Sequence, residues 1–215
     1  MSQKTDRLPP GQYEARGWPV LHFGGVPRVD PSTWRFHVHG AVAAERTLDL
    51  PEFKALPSTD VHADFHCVTK FSVFDNDWHG VAWSTVEDLV AVDPAATHVL
   101  VHAAEGYTAN LPLPALRDDD VLFAWQRNGQ DLSAEHGWPL RLVVPKRYAW
   151  KSVKWVTGLE FLTADRRGFW EERGYHNDAD PLQEERYSYQ ERATQPRAQG
   201  AEGVAHLTAL KEPKA

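Results

Sequence analysis

The 215-residue sequence contains a single cysteine, Cys67. A lone thiol forms no internal disulfide, so its functional roles are those of a nucleophile, a redox group or a metal ligand. The structural alternative is a buried thiol, because free cysteine is among the most buried residue types. Strand alternation would place Val61, Ala63, Phe65 and Cys67 on one inward face.

Long hydrophobic runs are also missing. No stretch approaches about 18 consecutive apolar residues, so we expect no transmembrane helix. Residues 1–10 carry neither an apolar signal-peptide core nor a twin-arginine pair. We therefore expect a cytoplasmic protein.

Positive charge is in deficit, since 23 Lys and Arg residues face 30 Asp and Glu residues, for a net charge of −7. This balance argues against nucleic acid or an anionic membrane as a partner. The sequence has no glycine-rich phosphate loop of the Walker or dinucleotide type and no Gly-x-Ser-x-Gly elbow. The commonest nucleotide-binding and hydrolase classes are thereby excluded.

Short apolar runs separated by turn residues, together with nine Trp and 15 Pro, indicate an α+β fold that is mainly β with a few short helices. We expect an irregular N-terminal arm at 1–33 packed on the domain, a core at 34–163 and a charged tail at 164–215 that wraps it.

Local patterns predict most of the individual elements. Alternation predicts a strand from Trp34 to Gly40 with Trp34, Phe36 and Val38 facing inward, and Asn128-Gly129 predicts a hairpin turn. Ser84 with Glu87 forms a capping-box pattern, which predicts a helix over 84–92, and a second short helix is expected over 51–56. Further strands are expected at 97–103, 107–111, 121–126, 140–144 and 153–162.

A basic stretch runs from His136 to Leu159. It contains no Asp or Glu, and its cations are Arg141, Lys146, Arg147, Lys151 and Lys154. In an acidic chain this is a candidate anion site, and the alternative is a solvated positive face. Trp150 and Trp155 within it could flank a flat heteroaromatic ligand.

The 11 histidines do not form a recognisable zinc motif. His37 and His39 share the polar face of one strand, and no second cysteine is present to build a closed site. A hydrolase that uses Cys67 as nucleophile would need a histidine such as His136 beside it. No local signature supports that pairing, and the sequence leaves it open.

Several motifs together resemble the oxidoreductase molybdopterin-binding domain of the sulfite oxidase superfamily. They are most similar to small single-domain bacterial members related to the catalytic subunit of the periplasmic methionine sulfoxide reductase. The motifs are His66-Cys67-Val68-Thr69 with Ser72, Trp78-His79-Gly80-Val81, Gly106-Tyr107-Thr108, His136-Gly137 through Arg141, and Lys151-Ser152-Val153-Lys154-Trp155. They occur in the order of the family and extend over most of the chain.

The resemblance implies a fold of mixed sheets and a molybdenum–molybdopterin cofactor with a single pterin. Cys67 would give its thiolate to the metal, which suits a soft, sulfur-rich site. Further positions match the cofactor contacts of the family. They are His136, Arg141, Ser152, Val153 and Lys154, with His22 and Phe23 in the arm, and Ala103. At Ala103 relatives often carry Thr or an acidic residue, so in this chain that contact is either lost or made by a backbone group.

The resemblance further implies an enzyme that transfers an oxygen atom to or from a small sulfur- or nitrogen-containing substrate and exchanges electrons with a separate partner. Sulfite is not favoured, because Lys70 is the only cation just after Cys67. A non-catalytic cofactor-binding or interaction module is the alternative. Lys70, Asp75, Asp77 and His79 are close enough to Cys67 in sequence to line the site or to form a loop surface.

Overall fold

The structure, a computed structural model, describes residues 7–191. The outer ends of the predicted arm and tail, residues 1–6 and 192–215, lie outside the described residues. Two β-sheets and three short α-helices form the described part, which confirms the mainly β prediction. Within it, no helix is long and apolar enough to span a membrane.

The first sheet has six strands, which include the hairpin that leads to and from Cys67. They are β1 (Tyr13–Glu14), β4 (Ser58–His66), β5 (Phe71–Ala82), β8 (Leu122–Arg127), β9 (Gln130–Asp131) and β10 (Arg141–Val143). β1 pairs with β5 in parallel and the remaining pairs are antiparallel. The arm is thus joined by backbone hydrogen bonds to the hairpin that carries Cys67.

The second sheet has five strands in the order β3-β2-β11-β6-β7. They are β2 (Arg35–Gly40), β3 (Arg46–Asp49), β6 (His98–Ala103), β7 (Thr108–Pro112) and β11 (Val156–Leu162). β11 runs parallel to β2 and antiparallel to β6, so this sheet is also mixed.

The main core contains the inward side chains of both sheets. Phe36, Val38 and Leu159 of the five-stranded sheet and Phe123 and Leu142 of the six-stranded sheet are fully buried in one cluster. A second, smaller cluster contains Cys67 together with Leu122, Ala124 and Val143. These three residues are the sequence neighbours of Phe123 on β8 and of Leu142 on β10. Because side chains alternate along a strand, the six-stranded sheet has apolar packing on both faces.

The short helices are α1 (Leu50–Lys54), α2 (Trp83–Glu87) and α3 (Leu113–Leu116). α1 confirms the short helix expected over 51–56, and Asp49 and Glu52 form its capping box. The capping box expected at Ser84 is wrong, because the helix begins at Trp83 and no side chain caps it. Glu87 instead accepts hydrogen bonds from Trp83 Nε1 at 2.8 Å and from Arg117.

The hairpin predicted at Asn128-Gly129 is present between β8 and β9. Both residues have positive φ, 51° and 73°, which a two-residue turn of this kind requires. The strand predicted through Cys67 ends one residue earlier, at His66, after a register shift between Ala63 and Phe65. Cys67 therefore lies in the turn rather than in the strand.

Candidate active site

A cavity of about 460 Å³ lies beside the turn that contains Cys67. Its walls come from the arm, the β4–β5 turn, the basic stretch and the tail. Eight residues singled out from the sequence line it: His22, Phe23, Cys67, His136, Arg141, Ser152, Val153 and Lys154. Ala103 is not among the lining residues, and the residues that follow it, Ala104 and Glu105, take that position.

The backbone around Cys67 is held in a tight turn. The Cys67 N–H donates to Phe71 O at 2.8 Å, and the Lys70 N–H donates to Cys67 O at 3.0 Å. Gln12 Nε2 from the arm donates to the same Cys67 carbonyl at 3.0 Å. These bonds fix the direction of the thiol relative to the cavity.

The Cys67 side chain is buried, with 8% of its surface exposed. Burial raises the pKa of the thiol, and the Thr69 hydroxyl, which donates to Sγ at 3.2 Å, acts in the opposite direction. Arg141 and Lys154 also favour the thiolate electrostatically. Burial therefore favours the protonated thiol, while Thr69, Arg141 and Lys154 would stabilise its anion.

Arg141 is the most unusual charged group of the cavity. Its side chain is buried, its guanidinium donates only to the carbonyls of His136, at 2.9 Å, and Ser152, at 3.1 Å, and its Nε has no partner among the described residues. It lies 5.1 Å from the ring centre of Trp18 and 4.9 Å from that of Phe65. Burial lowers its pKa to about 9.

Lys154 supplies the second cation. Its Nζ donates to the carbonyl of Leu21 in the arm at 2.8 Å and to that of Glu135. Burial and the nearby Arg141 lower the pKa of Lys154 to about 7. Two desolvated cations thus meet in one cavity, and in the described part of the chain neither forms an ion pair with a carboxylate. The acidic side chain that lines the cavity, Glu105, is exposed.

The other three cations of the basic stretch do not line the cavity. Lys146 pairs with Asp118 and Asp120, and Arg147 pairs with Asp178. Lys151 is fully buried in an ion pair with Glu171, at 2.6 Å. Of the five cations that the sequence grouped together, only Arg141 and Lys154 line the cavity within residues 7–191.

Gly137 allows Arg141 and Lys154 to pack closely against its backbone. It has a φ of +114°, and a Cβ there would lie 3.0 Å from the Arg141 Cβ and 3.2 Å from the Lys154 Cβ. Only glycine combines this backbone conformation with this proximity.

Replacing Gly137 with alanine is therefore expected to destabilise the fold by about 1–3 kcal/mol, since it adds both backbone strain and crowding. Denaturant unfolding measures the change. Gly129→Ala is the matched control, because Gly129 also has positive φ, +73°, but no atom lies within 4 Å of its added Cβ. Equal losses of unfolding free energy in the two variants would show that crowding at Gly137 does not contribute to the destabilisation.

Aromatic groups form the other walls. The His136 ring stacks on Trp18 with 3.9 Å between centroids, and burial lowers the pKa of His136. Trp150 and Trp155 both line the cavity, as the sequence suggested. Phe23, 62% exposed, packs against Phe169 of the tail at the cavity rim.

The sequence reasoning missed several lining residues, and Trp18 and Tyr175 are two of them. The pKa of Tyr175 is raised, chiefly by burial and in smaller part by Tyr187 and Cys67. Both residues lie in irregular segments, and no local pattern distinguishes them from other aromatics. The only signal was the high tryptophan content of the chain.

Four polar residues that follow Cys67 in the sequence do not line the cavity. Lys70, Asp75, Asp77 and His79 all lie outside its walls. Asp77 accepts from His62 at 2.7 Å, and His79 contacts Asp60 at 2.8 Å. Of the two possibilities for this segment, the structure supports a position outside the cavity, but Asp75, Asp77 and His79 lie on strand β5 rather than in a loop.

Comparison with known families decides the assignment. The profile of the oxidoreductase molybdopterin binding domain matches residues 23–170. The chain belongs to this family. That confirms the resemblance drawn from the motifs, and it makes a molybdopterin-dependent oxidoreductase the coarse description of the chain.

Relatives of this molybdopterin-binding family include proteins of very different length. The chain is 40% identical to the uncharacterized oxidoreductase YuiH of Bacillus subtilis over 189 residues, which is 87% of this chain and 96% of YuiH. It is 28% identical to the putative protein-methionine-sulfoxide reductase subunit YedZ1 of Azospira oryzae, covering 70% of this chain and 57% of YedZ1. It is also 28% identical to the mitochondrial sulfite oxidase of Drosophila melanogaster, covering 70% of this chain but 31% of that enzyme.

Among solved structures, the sulfane dehydrogenase SoxCD from Paracoccus pantotrophus matches with a TM-score of 0.62 at 23% identity. The match covers 66% of this chain and 41% of that chain, and it shows a shared fold of the sulfite oxidase type.

The cavity fits a molybdopterin of this family. Its groups are a soft sulfur donor, two cations without an acidic partner in the described chain, one of them with an unpaired buried Nε–H, and flat aromatic walls. An anionic, phosphate-bearing and planar ligand complements each of these features. Without such a ligand, the buried Arg141 has no compensating charge.

Lys154 makes the stability of the cofactor-free protein depend on pH. The folded chain releases the Lys154 proton near pH 7, whereas an ordinary lysine keeps it to about 10.5. Between these values the unfolded state binds more protons, so this group makes the unfolding free energy rise with pH. From about pH 6 to about pH 9 we expect wild type to gain about 1–2 kcal/mol relative to Lys154→Met, allowing for solvent screening.

Urea unfolding of both cofactor-free proteins across that pH range measures the difference. Lys54→Met is a suitable control, since Lys54 lies on α1, away from the cavity. A constant difference between wild type and Lys154→Met would contradict the lowered pKa.

Proposed function

We propose that this chain is a molybdenum–molybdopterin-dependent oxidoreductase that transfers an oxygen atom to or from a small sulfur- or nitrogen-containing substrate. The observation that carries the proposal is the buried Cys67 thiol in one cavity with Arg141 and Lys154, two cations that no carboxylate of the described chain neutralises. A separate protein would supply or accept the electrons.

In this proposal each lining group has a defined task. Cys67 would give its thiolate to molybdenum, while Arg141 and Lys154 would bind the phosphate end of a single pterin. Trp150 and Trp155 would flank the pterin, and Ser152, Val153, His22 and Phe23 would complete the wall. Ala104 and Glu105 would replace Ala103 as the contact after β6, because they line the cavity.

The bound cofactor supplies a two-electron redox change coupled to transfer of one oxygen atom. In the reducing direction, a substrate X=O, two electrons and two protons give X and water. The chain provides orientation, electrostatics and exclusion of water. Tyr107 and Tyr175 both line the cavity, and the Tyr107 hydroxyl donates to the Trp150 carbonyl at 2.7 Å, so Tyr175 is the residue we assign to hold the substrate oxygen.

Cys67 must lose its proton to bind the metal. Burial holds the pKa of the thiol above its ordinary value. A bound metal ion would reverse this preference, because a coordinating thiol is deprotonated. The hydroxyl of Thr69, which donates to Sγ at 3.2 Å, acts in the same direction by favouring the thiolate.

The hydrolase alternative has no geometric support. A cysteine nucleophile needs a base within hydrogen-bond reach. His136 Nδ1 contacts Ser133 at 3.0 Å and its Nε2 contacts the Trp18 carbonyl at 3.3 Å, while His66 Nδ1 contacts Ser72 at 2.8 Å. Neither imidazole contacts the Cys67 thiol.

A substrate screen tests the proposal directly. Protein loaded with cofactor in a molybdopterin-producing host is assayed with a viologen donor against sulfoxides and N-oxides, and with a ferricyanide acceptor against sulfite. Stoichiometric molybdenum with turnover of at least one substrate supports an oxygen-transfer enzyme. Stoichiometric molybdenum without any turnover favours the non-catalytic module, and absence of molybdenum overturns both. The cytoplasmic location stays a prediction, which cell fractionation would test.

A further inference from the structure

A second group of metal-ligating side chains lies away from the cavity, on the outer face of the five-stranded sheet. His39 on β2, Glu160 on β11 and His102 on β6 come from three adjacent strands. Glu160 is directly opposite His39, and His102 is opposite Gly158, two residues before Glu160. Because side chains two residues apart share a face, the three side chains converge.

Their ligand atoms are already close to a binding arrangement. One nitrogen of each histidine and one carboxylate oxygen of Glu160 all lie within 4.8 Å of one another. His102 Nε2 and Glu160 Oε2 are 3.1 Å apart. Two ligands of a tetrahedral zinc ion, each about 2.0–2.1 Å from the metal, stand roughly 3.4 Å apart. Side-chain rotations alone could close the remaining gap.

Neighbouring contacts support the arrangement. The His37 ring stacks on His39 with 4.7 Å between centroids and contacts Glu45 through Nε2 at 3.1 Å, which restrains the His39 ring. Arg166 forms an ion pair with Glu160 through Oε2. Within the described part of the chain, the hydrogen bonds that Glu160 accepts from His102 and Arg166 both use Oε2, and Oε1 remains available to a metal.

We propose that His39, His102 and Glu160 bind one divalent first-row transition metal ion, with zinc as the reference ion. Two imidazoles and one carboxylate are a donor set that suits zinc and its neighbours in the series, and solvent would fill the remaining positions. The ion would join three adjacent strands of the five-stranded sheet. This site is independent of the molybdopterin cavity and of the activity proposed for it.

Cobalt(II) is a spectroscopic probe for such a site. The full-length protein is titrated with Co²⁺, and binding is read from ligand-field absorption, followed by displacement with Zn²⁺. We expect one equivalent to bind without a thiolate-to-cobalt band, because Cys67 is not a ligand. In a His39→Ala/His102→Ala double variant the affinity should fall by at least about tenfold.

His62→Ala is the matched control, since His62 is an exposed histidine on β4 of the other sheet. It should bind Co²⁺ as wild type does. If the double variant does not fold, Glu160→Gln provides the same test with a near-isosteric change. Three results would overturn the proposal: no stoichiometric binding by wild type, equal binding by the ligand variants, or a thiolate band that places the ion at Cys67.

Discussion

A Cys67→Ser variant is expected to fold normally and to lose turnover by about 10³-fold or more. Serine fits the buried position, and its hydroxyl can still accept the hydrogen bond that Thr69 donates to the thiol. A hydroxyl, however, is a hard and weakly acidic donor where the proposed metal requires a soft thiolate. Activity per bound molybdenum, measured with the viologen and ferricyanide assays, is the deciding quantity.

Thr69→Val and Thr69→Ser provide the graded comparison for this result. Valine removes the hydroxyl that donates to Sγ at 3.2 Å, so it should reduce the activity in part, while serine retains the donor and should keep it. Near-UV circular dichroism and the unfolding midpoint check that each variant is folded. Full activity in folded Cys67→Ser would rule out the thiolate as the metal ligand.

The second large effect is expected from Arg141→Met. The methionine side chain has nearly the length of the arginine stem. The substitution removes a buried cation whose only hydrogen-bond acceptors in the described chain are two backbone carbonyls. Removing one member of a buried charged pair typically costs about 2–5 kcal/mol of binding. We therefore expect protein from the same host to lose most of its cofactor while the unfolding free energy changes little, because the cost of burying the charge is also removed.

Arg127→Met is the matched control for that variant. Arg127 is also desolvated, lies over the Trp18 ring at 4.5 Å and has a lowered pKa, but it does not line the cavity. Molybdenum and pterin content of the two purified variants is compared with wild type. Retention of the cofactor by Arg141→Met, or an equal loss in Arg127→Met, would contradict a specific role for Arg141.

Local patterns were sufficient for much of the fold. Alternation correctly placed Phe36 and Val38 in the core, and Asn128-Gly129 correctly marked a hairpin, because both signals depend on backbone geometry within a few residues. The Ser84–Glu87 pattern failed for a tertiary reason. Arg117, 30 residues away, and the Trp83 ring occupy the Glu87 carboxylate that a capping box would need.

The basic stretch illustrates what a local pattern cannot contain. Its freedom from acidic residues suggested five available cations, but the carboxylates that neutralise three of them come from elsewhere in the chain. They are Asp118 and Asp120 for Lys146, Asp178 for Arg147 and Glu171 for Lys151. Only the fold distinguishes these from Arg141 and Lys154.

The prediction of the candidate site rested on family motifs, whereas the prediction of the fold rested on local patterns. Neither composition nor spacing assigned Cys67 to molybdenum, and the family motifs suggested it. The structure brings Cys67, His136, Arg141 and Lys154 to one cavity, and their roles at a cofactor stay predictions. Trp18 and Tyr175 were missed because irregular segments carry no periodic signal.

The buried pair of Lys151 and Glu171 has a consequence for where this domain ends. The family profile stops at Trp170, one residue before the carboxylate that neutralises Lys151. A fragment trimmed to the matched residues would leave the buried Lys151 ammonium with hydrogen bonds to Asn110 but without a countercharge, at a cost of about 3–5 kcal/mol. The segment that the family profile matches is therefore shorter than the segment that we expect to fold, and the beginning of the tail belongs to the latter.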